Sequence, residues 1–209
     1  MDVDESNLVV AVANVQKRFE TTQAIPELDC YTYSKVHTEA QRTGATIKHN
    51  ELTVANVLAD LDDNLEQLSE AGVPLDRVIM YATPGYRKLL KNAEGLTRTL
   101  NAGSGNVIDR RVYSVDDIKE IKEVPSARMK TLYDFTNGCV ADSTAKQINY
   151  ILIDPEAQVS RVKYAYIKLF TPGTDSRTAD KYIYQNRRYN GTFAIDELFK
   201  KGCIIHTEA

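Results

Sequence analysis

The chain has 209 residues and a formal net charge of −3, and 43% of its residues are hydrophobic and 26% charged. This length and apolar content are typical of a globular protein with a sizeable core, in one large domain or two small ones. The slight negative charge argues against a dedicated nucleic-acid binder, which usually carries a basic excess, but it leaves room for a local basic patch.

The first third of the chain predicts helices. Acidic and serine residues precede apolar side chains at helical spacing over residues 8–19, as they would at a helix N-terminus. Pro26 predicts the first turn of a second helix, which Gly44 ends. An apolar stripe over residues 54–68 predicts the clearest helix, and Gly72 is a good stop for it.

The middle of the chain mixes strand, helix and loop patterns. The segment RVIMYATP, residues 77–84, predicts a buried strand, and a short helix is expected to begin near Pro84. Residues 95–112 lack apolar periodicity and are rich in Gly, Ser and Asn, which predicts a mobile loop or an extended hairpin. The segment IKEIKEVPSARM then favours a strand that ends near Pro125.

The last third predicts strands, in the segments INYILIDP, VSRVKYAYIKLFTPG, KYIYQNRRYNGTFAI and GCIIHTEA. In the third segment, Tyr182 and Tyr184 share one strand face. The letters NRRYNG interrupt the alternation as a turn or bulge would, with Gly191 supplying special backbone angles. Helices first and strands last predict an α+β protein with mixed sheets rather than a regular βαβ winding.

Side chains that could perform chemistry are dispersed. No histidine stands in a metal-binding motif, so surface or locally bonded side chains are expected for His37, His49 and His206. The cluster Asp60, Asp62, Asp63 and Glu66 lacks the glycine and closing glutamate of a calcium loop and lies in an amphipathic helix. A solvated polar helix face is therefore predicted for these four carboxylates.

The cysteines and the glycine-rich segment also offer no recognisable site. Cys30, Cys139 and Cys203 are far apart and outside any CxxC, which predicts buried free thiols in a reducing compartment. The segment NAGSGN has no lysine and no helix signal after it, so a phosphate-binding loop is not favoured. No apolar run approaches the roughly 20 residues that cross a bilayer, and the acidic N-terminus does not resemble a signal peptide.

Five segments in chain order carry a resemblance that spans nearly the whole sequence. They are an acidic lead-in followed by IPELD.Y..SK (1–36), a helix, a strand ending at Thr-Pro and a helix (57–92), a strand after a loop (110–129), strands around ID..A (150–173), and a basic-aromatic segment with a terminal KKG strand (182–206). Together they resemble the major capsid proteins of tailed bacteriophages, in particular those of phages and prophages of Gram-positive bacteria. The shell fold of that family is shared with encapsulins and with the floor of the herpesvirus capsid.

The resemblance implies a phage major capsid fold of the α+β class with two domains. An axial domain, with a central sheet flanked by helices, would comprise residues 51–178. A peripheral domain, with a long spine helix over a narrow antiparallel sheet, would comprise residues 1–50 plus 179–209. Family members usually carry an N-terminal arm and an extended hairpin loop before the spine helix, and this sequence begins almost at that helix, so the resemblance implies a chain without them.

The implied function is structural and not enzymatic. The chain would be a shell subunit that assembles as pentamers and hexamers into an icosahedral head around DNA, in the virion capsid and, during assembly, in the bacterial cytoplasm. Implied partners are copies of itself, scaffolding, portal or decoration proteins, and weak non-specific contact with packaged DNA, with no membrane and no small-molecule substrate. No catalytic residue, cofactor or metal ligand is carried over.

One segment, residues 180–195, keeps two interpretations open. Within a shell, Arg187 and Arg188 become candidates for contacts with acidic groups of a neighbouring subunit. Alternatively, the segment is the centre of a single-stranded nucleic-acid-binding module, in which tyrosines stack on bases and the arginines hold phosphates. A further alternative for the whole chain is an encapsulin-like nanocompartment shell that holds an enzyme cargo.

Overall fold

The computed structural model describes residues 14–93, 118–136, 138–174 and 182–208. The predicted loop at residues 95–112 therefore lies outside the described residues, as does the start of the first predicted helix. The helices are α1 (Ile25–Thr43), α2 (Val57–Glu70), α3 (Pro84–Asn92) and α4 (Asp196–Gly202). The strands are β1 (Thr46–Lys48), β2 (Ile79–Ala82), β3 (Glu120–Glu123), β4 (Tyr133–Asp134), β5 (Val140–Ala141), β6 (Ile148–Ile153), β7 (Gln158–Phe170), β8 (Ile183–Ala194) and β9 (Cys203–Thr207).

The two predicted helices, of which the second has Pro26 in its first turn, are joined in a single helical rod, residues 14–43. The rod passes through a π-helical turn at Glu20–Ala24, where the Ile25 amide donates to the Glu20 carbonyl. Pro26 lies in the first turn of α1, directly after this wider turn. Because proline has no N–H and clashes with the carbonyl four residues earlier, the π turn allows the helix to continue without a break. The predicted position of Pro26 in the first turn of a helix is therefore confirmed, and so is the stop at Gly44, with φ 72°. What the sequence did not predict is that the preceding helix runs into α1 without a break.

A mixed five-stranded sheet in the order β1-β9-β6-β2-β3 forms the centre of the fold. The pairs β1–β9 and β2–β3 are parallel, and β9–β6 and β6–β2 are antiparallel. Alternate residues of β6 enter different core clusters: Tyr150 and Leu152 pack with α2 and α3, whereas Ile151 and Ile153 pack with α1 and α4. The sheet is therefore covered by helices on both faces, and its mixture of parallel and antiparallel pairs agrees with the predicted α+β class with mixed sheets.

The predicted helix signals place α2 and α3 on this sheet. Four residues of α2 point into the core, Val57, Leu61, Leu65 and Leu68. Gly72, with φ 77°, follows the helix in the left-handed conformation. The Thr83 hydroxyl accepts the Tyr86 amide at 3.4 Å, and with Pro84 it begins α3 as predicted.

A separate antiparallel ribbon is formed by β7 and β8. The predicted interruption at NRRYNG is wrong, because β8 runs through these residues and the irregularity lies in the partner strand. Lys163 is the extra residue there, between the pairs Val162↔Asn190 and Tyr164↔Tyr189. Gly191 does not have a positive φ; a Cβ at this position would lie 2.8 Å from the Phe193 ring and 2.9 Å from Cε of Lys163, so these two side chains would have to shift.

The predicted division into residues 51–178 and residues 1–50 plus 179–209 stays a prediction. Within the described residues, strands pair across both of its boundaries. The strands β1 and β9 join β6 in one sheet, and β7 pairs with β8.

Candidate assembly surface

The β7–β8 ribbon leaves many apolar side chains exposed. Tyr189 is 61% exposed and Tyr164 is 51% exposed. Other exposed apolar residues of the two strands are Val159, Val162, Tyr166, Ile167, Leu169 and Phe193. A two-stranded ribbon is only marginally stable by itself, and contiguous apolar surface usually marks an interaction site. This ribbon is therefore the strongest candidate for a contact surface.

The outer face of the ribbon, which points away from α1, is aromatic and positively charged. The register places Tyr164, Tyr166, Tyr189 and Phe193 on this face. The Lys163 ammonium lies 4.3 Å from the Phe193 ring centroid and 5.6 Å from that of Tyr189. The two strands carry five cations and no carboxylate, namely Arg161, Lys163, Lys168, Arg187 and Arg188, on a chain whose net charge is −3. The ribbon is thus a local basic patch, which the slight negative charge of the whole chain did not exclude.

The inner face of the ribbon forms a groove of about 750 Å³ with the helical rod. Apolar side chains from both sides line this groove, among them Phe19, Leu28, Tyr31, Val162 and Ile167. The side-chain carbonyl oxygens of Asn186 and Asn190 are buried and have no hydrogen-bond partner among the residues that the structure describes. A groove with an apolar lining and unpaired acceptors suits an extended segment that supplies donors.

The two predicted contact residues lie on opposite faces of β8. Arg188 faces the helical rod, where its guanidinium donates two hydrogen bonds, of 2.8 and 2.7 Å, to the Glu20 carboxylate. Asn186 donates a third bond to the same carboxylate at 3.0 Å. Arg187 is exposed on the outer face and has no ion-pair partner among the described residues. The structure thus separates the pair: Arg188 ties the ribbon to the rod, whereas Arg187 is available to another molecule.

A buried polar network beneath the central sheet corrects the prediction for Asp60. This residue is only 6% exposed, and its carboxylate accepts hydrogen bonds from the Tyr150 hydroxyl at 2.6 Å and the Asn50 amide at 3.1 Å. Lys48 lies 3.3 Å from the same carboxylate. Burial alone would raise the pKa of Asp60, but the Tyr150 hydrogen bond and the Lys48 charge outweigh it and hold the pKa below its ordinary value. The predicted solvated face is correct for the other three carboxylates, Asp62, Asp63 and Glu66.

His206 belongs to the same network and is 1% exposed. Its Nε2 lies 2.7 Å from the Asn50 carbonyl, and its Nδ1 lies 3.2 Å from the Asn149 amide nitrogen. A carbonyl can only accept, so Nε2 carries the proton and Nδ1 accepts from Asn149. This neutral imidazole stacks on the Tyr150 ring at 5.3 Å, beside a cavity of about 470 Å³. His206 is therefore locally bonded, as predicted, but buried.

The network is better suited to structure than to catalysis. Both nitrogens of His206 and both oxygens of Asp60 are engaged, so neither side chain is a free base. The described ranges contain no group of three or more His, Cys, Asp or Glu residues arranged to hold a metal ion. Within the same ranges, every helix is too short or too polar to cross a membrane. Sequence patterns could not reveal this network, because Asp60 and Tyr150 are 90 residues apart.

Comparison with known proteins identifies the fold. No protein-family model matches the chain, and no curated protein matches it either. A chain from the capsid structure of the cyanophage P-SCSP1u is similar over 100% of this chain and 67% of its own length, with 14% identity and a TM-score of 0.58. A structure from Mycobacterium phage Che8 matches 95% of this chain and 61% of its own length, with 9% identity and a TM-score of 0.49. The likeness to the cyanophage structure shows that the chain has a phage capsid fold.

Proposed function

We propose that the chain is a structural protein, the major capsid subunit of a tailed phage or prophage, which assembles with copies of itself into an icosahedral head around DNA. The observation that carries the proposal is the phage capsid fold combined with an exposed apolar ribbon. A shell subunit needs surfaces that fit other copies of itself and needs no active site. The saturated hydrogen bonding of Asp60 and His206 supports a non-enzymatic role.

Charge complementarity supports contacts between copies. The outer face of the ribbon is basic and includes the unpaired Arg187. The solvent-facing side of α2 is acidic, with the exposed residues Asp62, Asp63, Glu66 and Glu70. Opposite patches of this kind can meet between neighbouring copies of the chain. Arg187 is thus our candidate for an inter-subunit contact, whereas Arg188 is already paired with Glu20.

The proposal can be tested by electron microscopy and sedimentation velocity of the purified protein, expressed together with any upstream coding sequence. We expect rings, capsomer-like oligomers or shells, and their fraction should grow with protein concentration. A protein that remains monomeric at every concentration and shows no particles would overturn the proposal.

A specific observation favours a second candidate, a single-stranded nucleic-acid-binding module. The outer face combines exposed tyrosines with cations and no carboxylate, which is the pattern that stacks bases and neutralises phosphates. In this case fluorescence anisotropy at low salt would show binding to an oligothymidylate, and Tyr189→Ala and Arg187→Ala would each weaken it. An affinity that neither substitution changes, or no binding at low salt, would remove this candidate.

A further inference from the structure

Two cysteines meet where the β4–β5 hairpin packs on α1. Cys30 lies on α1, and Cys139 directly precedes β5. Phe135 directly follows and Cys139 directly precedes the paired residues Asp134 and Val140, so both flank the last pair of the hairpin. The ring centroids of Phe135 and Tyr31 lie 6.2 Å apart in an edge-to-face arrangement, so this end of the hairpin lies against the helix beside Cys30.

A second contact anchors the same junction. Arg128 donates a 3.0 Å hydrogen bond to Asp29, the residue before Cys30. The Tyr133 hydroxyl of β4 is in turn fixed by the Ala127 carbonyl at 2.8 Å. The hairpin is therefore joined to the helix directly through Phe135 and Tyr31, and indirectly through the turn that carries Ala127 and Arg128.

The two thiols lie at the same junction. Cys30 is 4% exposed and Cys139 is half-buried, and Cys30 is close enough to raise the pKa of the Cys139 thiol. The third cysteine, Cys203, is buried in β9 within the central sheet. Thus two thiols share one helix–hairpin junction, one of them is reachable from solvent, and the remaining thiol provides an internal control.

We infer that Cys30 and Cys139 are a redox modification site, which closes as an intrachain disulfide and ties the β4–β5 hairpin to α1. The inference goes beyond the proposed function, since it concerns one chain and applies whether or not that chain assembles.

Glutathione disulfide is an oxidant of the right chemical class. The Cys139 thiolate attacks one sulfur of glutathione disulfide, forming a mixed disulfide and releasing one glutathione thiolate. The Cys30 thiolate then attacks the Cys139 sulfur and releases the second glutathione. Both protein thiols lose their protons, two electrons pass to glutathione disulfide, and two glutathione molecules take up the protons.

The environment of the pair makes this closure slow near neutral pH. Burial, and after it the neighbouring Cys30 thiol, raises the pKa of Cys139 to about 12. The thiolate is the attacking species, so the rate of closure should rise with pH. A reducing cytosol would keep the pair open, and an oxidising medium outside the cell would close it.

The test uses the native protein incubated with glutathione disulfide, at about pH 8.5 to raise the thiolate fraction. Free thiols are then alkylated, and the digested protein is mapped by mass spectrometry. We expect one linked peptide pair, Cys30 with Cys139, a protein lighter by two hydrogen atoms, and an alkylated Cys203. Because the closed loop is long, the Tm of the oxidised protein should exceed that of the reduced protein by about 5 °C or more.

Variants separate this disulfide from other thiol chemistry. Cys139→Ser and Cys30→Ser should each abolish the oxidation-dependent rise in Tm, whereas Cys203→Ala should keep it. A stable glutathione adduct on Cys139, a disulfide-linked dimer, any disulfide to Cys203, or unreacted thiols in the folded protein would each overturn the inference. The peptide map and the two Tm values of the unsubstituted protein decide the matter even if a variant does not fold.

Discussion

The hydroxyl of Tyr150 on β6 donates a 2.6 Å hydrogen bond to the carboxylate of Asp60 on α2, deep between the central sheet and its helices. We expect Tyr150→Phe to lower the free energy of unfolding by about 1.5–3 kcal/mol, because it removes a bond to a buried charge. Urea unfolding would measure the loss. The matched control is Tyr166→Phe at an exposed position of the ribbon, which should change stability by less than about 0.5 kcal/mol. Equal losses in the two variants would contradict the structural role of the network.

Stability should fall on mild acidification. Burial is the largest effect on both His37 and His206, and it lowers the pKa of each below the ordinary histidine value. The unfolded chain therefore takes up protons first as the pH drops below about 6.5, and the folded state loses stability from there downward. The Asp60 carboxylate, with its lowered pKa, should add a further loss only below about pH 4.

Urea unfolding at a series of pH values would check this dependence. Above neutral pH the histidines should cause no change in the free energy of unfolding. Between about pH 6.5 and 5 the free energy of unfolding should decline. His206→Gln should reduce the slope in that window, although it costs stability at every pH. A slope that does not change in the variant would show that His206 does not titrate on unfolding.

The bond between Arg188 and Glu20 should hold the beginning of the helical rod on the ribbon. Arg188→Ala removes two of the three hydrogen bonds to this carboxylate, so amide hydrogen exchange in residues 14–24 should accelerate. Global stability should fall by only about 0.5–1 kcal/mol, because the pair is partly exposed. The neighbouring substitution Arg187→Ala is the control and should leave exchange in these residues unchanged.

Assembly should depend on Arg187. We expect Arg187→Glu to reduce the oligomer fraction seen in sedimentation velocity, since it places a negative charge where an acidic partner surface is proposed. Lys88→Glu makes the same change of charge at an exposed position of α3 and should leave the oligomer fraction unchanged. Added salt should weaken assembly of the unsubstituted protein, because exposed charge pairs are screened. Oligomers that respond equally to both substitutions would argue against a contact at the ribbon.

Local signals predicted much of the fold. The apolar stripe of α2, the stop at Gly72 and the Thr83-Pro84 start of α3 are all readable from a few neighbouring letters, and the structure confirms them. Such signals succeed because caps, glycine stops and periodicity act within one or two turns of chain.

The errors concern relationships between distant residues. Asp60 was expected in solvent because its partner Tyr150 lies 90 positions away, and Glu20 is separated from Arg188 by 168 positions. The bulge was expected in β8, yet it lies at Lys163, since register is a property of two strands and cannot be read from one. The presence of Cys30 and Cys139 at one junction was equally invisible, because it follows from the docking of the hairpin on the helix.

The π-helical turn at Glu20–Ala24 sets the angular phase between the two halves of the helical rod. In an α-helix each residue turns the chain by about 100°, so removing one residue here would rotate everything before it by roughly that angle. Phe19 would then turn away from the groove, and Glu20 would turn away from Arg188. The contacts of α1 with the sheet would stay in place. A single-residue deletion at this turn would therefore rotate the N-terminal end of the rod about its axis and leave the central sheet intact.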